Sequence, residues 1–396
     1  MRKMGSIDIG AKRMDVKVDR KMLLDALSKA SFVIERKSVL PVLLSADTEG
    51  LKLRATDLES FLTIGMGAEV LKPGSISAPF ANLNRFAKSL KGEVRLTEEE
   101  NDWLKVSGGN AVFNLACIPA DKFPVPIGMQ DMPMAEVSGS LLADMIDRTA
   151  YAMDVEESHG GFRLNGILIE RNKKDSLRMV ATDGGRLSMV DRQVSGVSRL
   201  DLGKGGAVVP RKGILLLRRL LIDGKKVRKG LGLADPILLG IGSDHLVVKR
   251  KGISLSVRLM DCKFPDYRYM LIREEAKKGY LIEVNRHVLL EAMERMDLNS
   301  TDQYQGVKIT TGADYLEMVS VNPDLGNVEE KIEIKYDGEP IEIGFNPKYF
   351  IDVLQTMDSD VIFLDIKDQT DQTSLCLITG EQDEGFLGLI MPIMRM

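Results

Sequence analysis

The stretch Arg178–Arg192 reads RMVATDGGRLSMVDR, and its centre sets a carboxylate, Asp183, beside Gly184 and Gly185 and three residues before a guanidinium, Arg186. A carboxylate on a glycine-rich turn has two chemical uses. It can act on a substrate held by a phosphate-cradling loop, or it can hydrogen-bond its own backbone and close a hairpin turn. The first use needs partners, and the sequence supplies few. No GxxxxGK[ST] loop occurs: Gly203-Lys204 runs into Gly205, and Gly224-Lys225 into Lys226. GIGSDH from Gly240 puts His245 where a dinucleotide loop needs its third glycine, and no GxSxG is present. His159, His245 and His287 are scattered, as are Cys117, Cys262 and Cys376, so neither a disulfide framework nor a metal-binding CxxC pair is present. No catalytic residue, metal or cofactor is expected. A nucleotide-dependent hydrolase stays open as an alternative function.

The elements that position this turn belong to a large chain. Its 396 residues exceed one ordinary core and suggest two to three domains. No apolar run approaches the ~20 residues that span a bilayer, and the basic start lacks the apolar segment of a signal peptide. A cytoplasmic protein is expected. With 54 Lys+Arg against 58 Asp+Glu, the net charge of -4 argues against a chain coated in positive charge. It also weakens the other alternative, a sequence-specific DNA regulator.

Internal repetition is the main signal. VDRKMLLDALSKASFVI from Val18 recurs as VSGSLLADMIDRTAYAM from Val137 and VNRHVLLEAMERMDLNS from Val284. Each opens on Val and a helix-capping type, Asp19, Ser138 or Asn285. Apolar residues follow at helical spacing: Met22, Leu23, Ala26, Leu27; Leu141, Leu142, Met145, Ile146; Val288, Leu289, Ala292, Met293. A strand and turn come next in each copy: KLRATDLES, RMVATDGGRLS and LEMVSVNPDL. A second amphipathic helix follows, with Leu83, Phe86, Leu90 matching Ile214, Leu217, Leu221 and Phe350, Val353, Met357. Strand-like sequence closes each copy, and the joints fall near Pro124–Pro133 and Pro265–Lys278. The expected fold is α+β: three repeated domains, each with two helices and antiparallel β-sheet.

The order LPVLLSADTEGLKLRATDLES, LNGILIE, VATDGGRLSMVDR, KFPDYR and terminal IMPIMRM resembles the bacterial β sliding clamp family, the processivity factors of replicative DNA polymerases. The resemblance runs from about Met14 to Met396. It implies a DNA clamp fold closing as a dimeric ring that encircles duplex DNA and tethers polymerase and other replication and repair proteins. The corresponding divisions are an N-terminal extension over 1–13 and clamp domains over 14–132, 133–276 and 277–396.

Site residues follow from the same resemblance and from charge. Ten residues past each first-helix cap stands a base, Lys29, Arg148 or Arg295, with an acid four before it. Together with Lys37, Arg85, Lys88, Arg163, Arg211, Arg218 and Arg219, these are the expected sequence-blind DNA contacts. The resemblance also implies a docking pocket for short peptides, of the Gln-Leu-x-Leu-Phe type, from polymerase, clamp loader and repair proteins. Its walls would be Leu164, Thr182, Gly184, Arg186, Leu187, Pro265, Met270, Leu389, Ile390, Met391 and Pro392. Phe113 and Leu115 on an edge strand are expected to meet the region of Leu298 in the homodimer. No membrane partner is expected.

Overall fold

The computed structural model describes residues 13–34, 40–124, 132–155, 162–173, 175–222, 236–269, 271, 279–301, 305–367 and 375–393. The threefold repetition is carried by six helices among these residues: α1 (Arg20–Ala30), α2 (Phe80–Ser89), α3 (Gly139–Thr149), α4 (Arg211–Ile222), α5 (Arg286–Asp297) and α6 (Pro347–Thr356). A strand leads into each one, and at α1, α5 and α6 a side-chain cap holds the turn between them. Asp19 accepts from the Lys21 and Met22 amides, Asn285 from those of His287 and Val288. Asn346 caps α6 ahead of a proline whose missing N–H costs nothing at that position.

Leu23, Ala26, Leu27 and Ala30 form the buried face of α1, and Leu289, Ala292, Met293 and Met296 that of α5. Met22 and Val288, expected on these faces, point outward instead. The i, i+3, i+4, i+7 stripe starts one residue later, and a residue before it lies about a quarter turn off the face. α1 packs on α2 and α5 on α6.

Two compact units partition the chain. The first comprises 1–139, 199–201 and 215–259, the second 140–198, 202–214 and 260–396. The first contains a nine-stranded antiparallel sheet in the spatial order Ile118–Pro119, Gly74–Pro79, Pro41–Asp47, Gly50–Thr56, Ser60–Met66, Ile253–Arg258, His245–Arg250, Pro236–Ile241 and Met134–Ser138. It also contains a five-stranded sheet: Ala68–Lys72, Asp15–Asp19, Glu93–Glu98, Trp103–Gly108 and Ala111–Ala116.

The second unit holds an eight-stranded sheet: Ala207–Pro210, Gly166–Lys173, Ser176–Thr182, Arg186–Gln193, Phe386–Ile390, Cys376–Gly380, Val361–Lys367 and Gly279–Asn285. Its four-stranded sheet runs Gly326–Glu333, Tyr315–Asn322, Val307–Thr311 and Glu342–Phe345.

The large sheets are fusions between repeats. Ser60–Met66 of the first repeat pairs with Ile253–Arg258 of the second, Ile64 opposite Ile253. Arg186–Gln193 of the second pairs with Phe386–Ile390 of the third. In both cases the third strand after a repeat's first helix meets the last long strand of the next repeat. Two strands of the same kind stay at sheet edges: Gly326–Glu333 of the third repeat and Ala111–Ala116 of the first.

Candidate functional site

The Asp183 turn is a hairpin closure. Asp183 Oδ1 accepts the amides of Gly185 and Arg186, both at 3.0 Å, and Oδ2 takes Arg186 Nε at 2.9 Å. Gly184 sits at φ 92°, where a side chain would strain the backbone, and Thr182 Oγ1 donates to Arg186 O at 2.6 Å. The carboxylate is therefore committed to its own loop.

Alternation along the next strand sends consecutive side chains to opposite faces of the sheet. Arg186 turns towards the helices: Nη1 reaches Asp352 of α6 at 2.5 Å, Nη2 reaches Tyr151 O at 2.7 Å, and the guanidinium lies over the Tyr349 and Tyr151 rings at 4.6 and 5.4 Å. Burial disfavours its charge, but Asp352 and Asp183 outweigh that and hold its pKa above the ordinary value. Leu187 faces the other side. There it joins Leu168, Val180, Met189, Val208, Phe264, Tyr267 and Leu389 in one apolar cluster, with Met260, Cys262, Leu271 and Met391 packed against it.

The chain's end is stitched to the turn. Leu187 stands opposite Leu389 and Arg186 opposite Ile390, Met391 N donates to Gly185 O at 2.9 Å, and Ile393 N to Gly344 O at 2.8 Å. The expected pocket residues thus divide. Leu164, Leu187, Leu389 and Ile390 are 4%, 2%, 1% and 0% exposed and belong to the core, and Thr182 is nearly as buried. Ile390 lies across the sheet from the cluster, a consequence of strand alternation. Gly184, Pro265, Met391 and Pro392 reach the surface. Met270 lies outside the described residues.

A polar frame beneath the cluster has no counterpart among the expected residues. Glu170, buried in Gly166–Lys173, accepts from the Tyr267 hydroxyl and from Arg268 Nη2. Arg178 forks onto Asp191 at 2.7 and 2.6 Å and reaches Tyr267 Oη at 3.4 Å. Burial, then the Glu170 hydrogen bond, push the Tyr267 phenol up to about 12. The available signal was an acid ending the apolar run ILIE, since a carboxylate on a buried strand must find donors.

Comparison with known proteins gives three consecutive family matches. The N-terminal, central and C-terminal domains of the DNA polymerase III beta subunit match residues 14–127, 136–266 and 272–394. A beta sliding clamp of Pseudomonas aeruginosa is 32% identical over 393 residues, covering 96% of this chain and 100% of the relative. One of Pseudomonas putida is 31% identical over 386 residues, with the same coverage. The chain belongs to the DNA polymerase III beta subunit family.

Solved clamps share the fold. The Pseudomonas aeruginosa subunit superposes with a TM-score of 0.83 at 29% identity, covering 96% of this chain and 100% of that one. The Bartonella birtlesii clamp bound to griselimycin gives 0.85 at 29% identity, covering 97% and 100%. The fold is the three-domain clamp fold, and the function is that of a DNA sliding clamp, a processivity factor and not an enzyme.

The clamp's expected DNA residues meet different fates. Arg85 and Lys88 on α2 are exposed, as is Arg163, and Arg219 is exposed over the Phe32 ring at 5.0 Å. Arg85 lies over Phe86 and bonds Asn82. Lys29 pairs with Asp25 at 2.5 Å, Arg211 donates to Met153 O, and Arg218 is partly buried. Arg295 forks onto Glu330 at 2.7 and 2.6 Å. Lys37 lies outside the described residues.

Arg148 corrects the expectation outright. It is 2% exposed, and its guanidinium is shared among Asp144, Asp358 and Asp383 at 3.0, 2.5 and 2.7 Å. The acid four residues before it is only the first of three partners, so no donor faces a phosphate. Of the dimer residues, Leu298 is 81% exposed, whereas Leu115 is already buried and Phe113 stacks on Phe86 at 4.4 Å. On that strand Val112 presents the exposed apolar side chain.

Proposed function

We propose that two copies of this clamp close head to tail into a ring around duplex DNA and tether polymerase, clamp loader and repair proteins there, in the cytoplasm. One observation carries the ring. Each junction between repeats within the chain joins two strands of fixed rank, and the two strands of that rank left at sheet edges are Ala111–Ala116 and Gly326–Glu333. An open edge offers a row of unmatched N–H and C=O groups, and a heterologous contact between these two edges repeats the internal junction. Two such contacts close six repeats. Leu298, next to the base of the second edge through the Asn299 amide bonded to Gly326 O at 3.1 Å, supplies apolar contact.

Phosphate attraction in this ring falls unevenly on the helices. α2 carries Arg85 and Lys88 and no acid, and α4 carries Arg211, Lys212, Arg218 and Arg219 and no acid. α3 offers Asp144 and Asp147 with its one base buried, and α5 sets Glu291, Glu294 and Asp297 against Arg286 and Arg295. Such contacts are sequence-blind and weak, on the order of 10⁻⁴ to 10⁻⁶ M, so residence comes from topology. The peptide groove runs over Gly184, Pro265, Met391 and Pro392 above the apolar cluster. The domain divisions are placed at 14–132, 133–276 and 277–396, after an extension over 1–13.

The experiment is retention on DNA. Clamp loaded on a nicked circle should co-elute with it through high salt and be lost once the circle is cut. Equal loss from circle and linear DNA would remove topological linkage.

A further inference from the structure

We propose that Glu170 is a positioning residue of the partner-peptide groove: its buried carboxylate clamps the strap Met260–Tyr269 onto the sheet and so fixes the Pro265 wall. The inference rests on the groove reading above.

The strap is tied at two ends. At its start Met260 N donates to Val208 O at 2.9 Å. At its far end the Glu170 oxygens take the Tyr267 hydroxyl and the Arg268 guanidinium, one each. Between them Tyr267 N donates to Pro265 O at 2.9 Å, so Pro265 and Tyr267 share one turn and move together. The Tyr267 ring packs in the cluster that holds Leu187 and Leu389. Wherever Glu170 sets the hydroxyl, it also sets the ring, and through the turn the proline at the groove's surface.

Stability alone does not account for a carboxylate at this place. Leu168 and Glu170, two apart on one strand, share a sheet face. Leu168 belongs to the apolar cluster, and a leucine at 170 would extend it. The side chain of Glu170 is instead a carboxylate at 4% exposure that must be satisfied by donors. Replacing a buried polar pair by apolar residues is often neutral or stabilising. What the carboxylate adds is direction: its two oxygens dictate where hydroxyl and guanidinium stand, whereas an apolar contact lets the strap slide. Arg268 itself is half exposed, so it stays solvated when Glu170 is removed.

The test separates affinity from stability. Calorimetry with the synthetic peptide Gln-Leu-Ser-Leu-Phe is run on the full-length clamp and on Glu170→Leu, Glu170→Gln and Tyr267→Phe. Melting temperature and sedimentation are measured alongside. Glu170→Leu should lose about tenfold or more in affinity at a temperature where it is still fully folded, whatever drop in melting temperature the unpaired Tyr267 hydroxyl brings. Glu170→Gln keeps an acceptor for the hydroxyl and should lose only about a third of that on a logarithmic scale. Should Glu170→Leu fail to fold, the graded loss across Gln and Phe variants at equal melting temperature carries the same weight. Equal affinities in parent and variants overturn the inference alone, as does a loss that only tracks falling melting temperature. A parent that does not bind the peptide overturns the groove reading, and the inference with it.

Discussion

Arg148 shows what one residue's environment decides. Lys29, Arg148 and Arg295 occupy the same place in three repeats, yet one keeps a solvated i,i+4 partner, one is forked onto Glu330, and one is buried among three aspartates. Spacing fixes the helix face a side chain leaves from, and the neighbours it meets come from elsewhere in the chain. Asp358 and Asp383 lie more than 200 residues from Arg148 in sequence, so no local pattern announces them. Arg148→Ala should cost about 3 to 5 kcal/mol, the penalty of leaving the buried Asp383 carboxylate without its ion partner, while the salt dependence of DNA binding stays unchanged. Urea unfolding and DNA titrations check both. Asp383 gives the matching pH dependence. Burial pushes its carboxyl up, but hydrogen bonds from Ser359 and the Arg148 ion pair outweigh burial and hold it below its ordinary value of 3.8. A depressed folded-state pKa gives stability that is full above the unfolded value and is lost as pH falls through the folded one. Urea midpoints should therefore drop below about pH 4, and that limb should flatten in Asp383→Asn, which is less stable than the parent at pH 7.

At the scale of elements, the helices were legible and the sheets only in part. Periodicity and caps gave all six helices, because a helix's pattern and its hydrogen bonds are local. The one-residue error at Met22 and Val288 arose where two adjacent apolar residues left the stripe's first member undecided. Strands were found as runs, but their partners were not: Ser60–Met66 meets a strand nearly 200 residues away, and a run of alternating residues does not name its neighbour. The same gap placed Ile390 and Leu115 at surfaces when both are core. Element charge makes a direct prediction. Arg85→Glu with Lys88→Glu should weaken binding to any duplex sequence and lower the slope of log affinity against log salt by about two. Arg295→Glu, whose parent guanidinium is already satisfied by Glu330, should change that slope little. Fluorescence anisotropy at several salt concentrations distinguishes them.

For the whole molecule, the threefold repetition was legible from the sequence, and so was the family it resembles. The way repeats share sheets was not. Each large sheet is built half from one repeat and half from the next, so the middle repeat contributes to both compact units. In the proposed ring, the rule joining repeats inside the chain also joins chain to chain at Ala111–Ala116 and Gly326–Glu333. Leu298 stands exposed beside the second of these edges, so Leu298→Glu should spare the monomer's fold and the peptide groove while opposing closure. Sedimentation velocity of parent and Leu298→Glu reads this closure. A dimer is expected for the parent and a folded monomer that still binds peptide for the variant; a monomeric parent, or a variant that remains as fully dimeric as the parent, would rule this closure out.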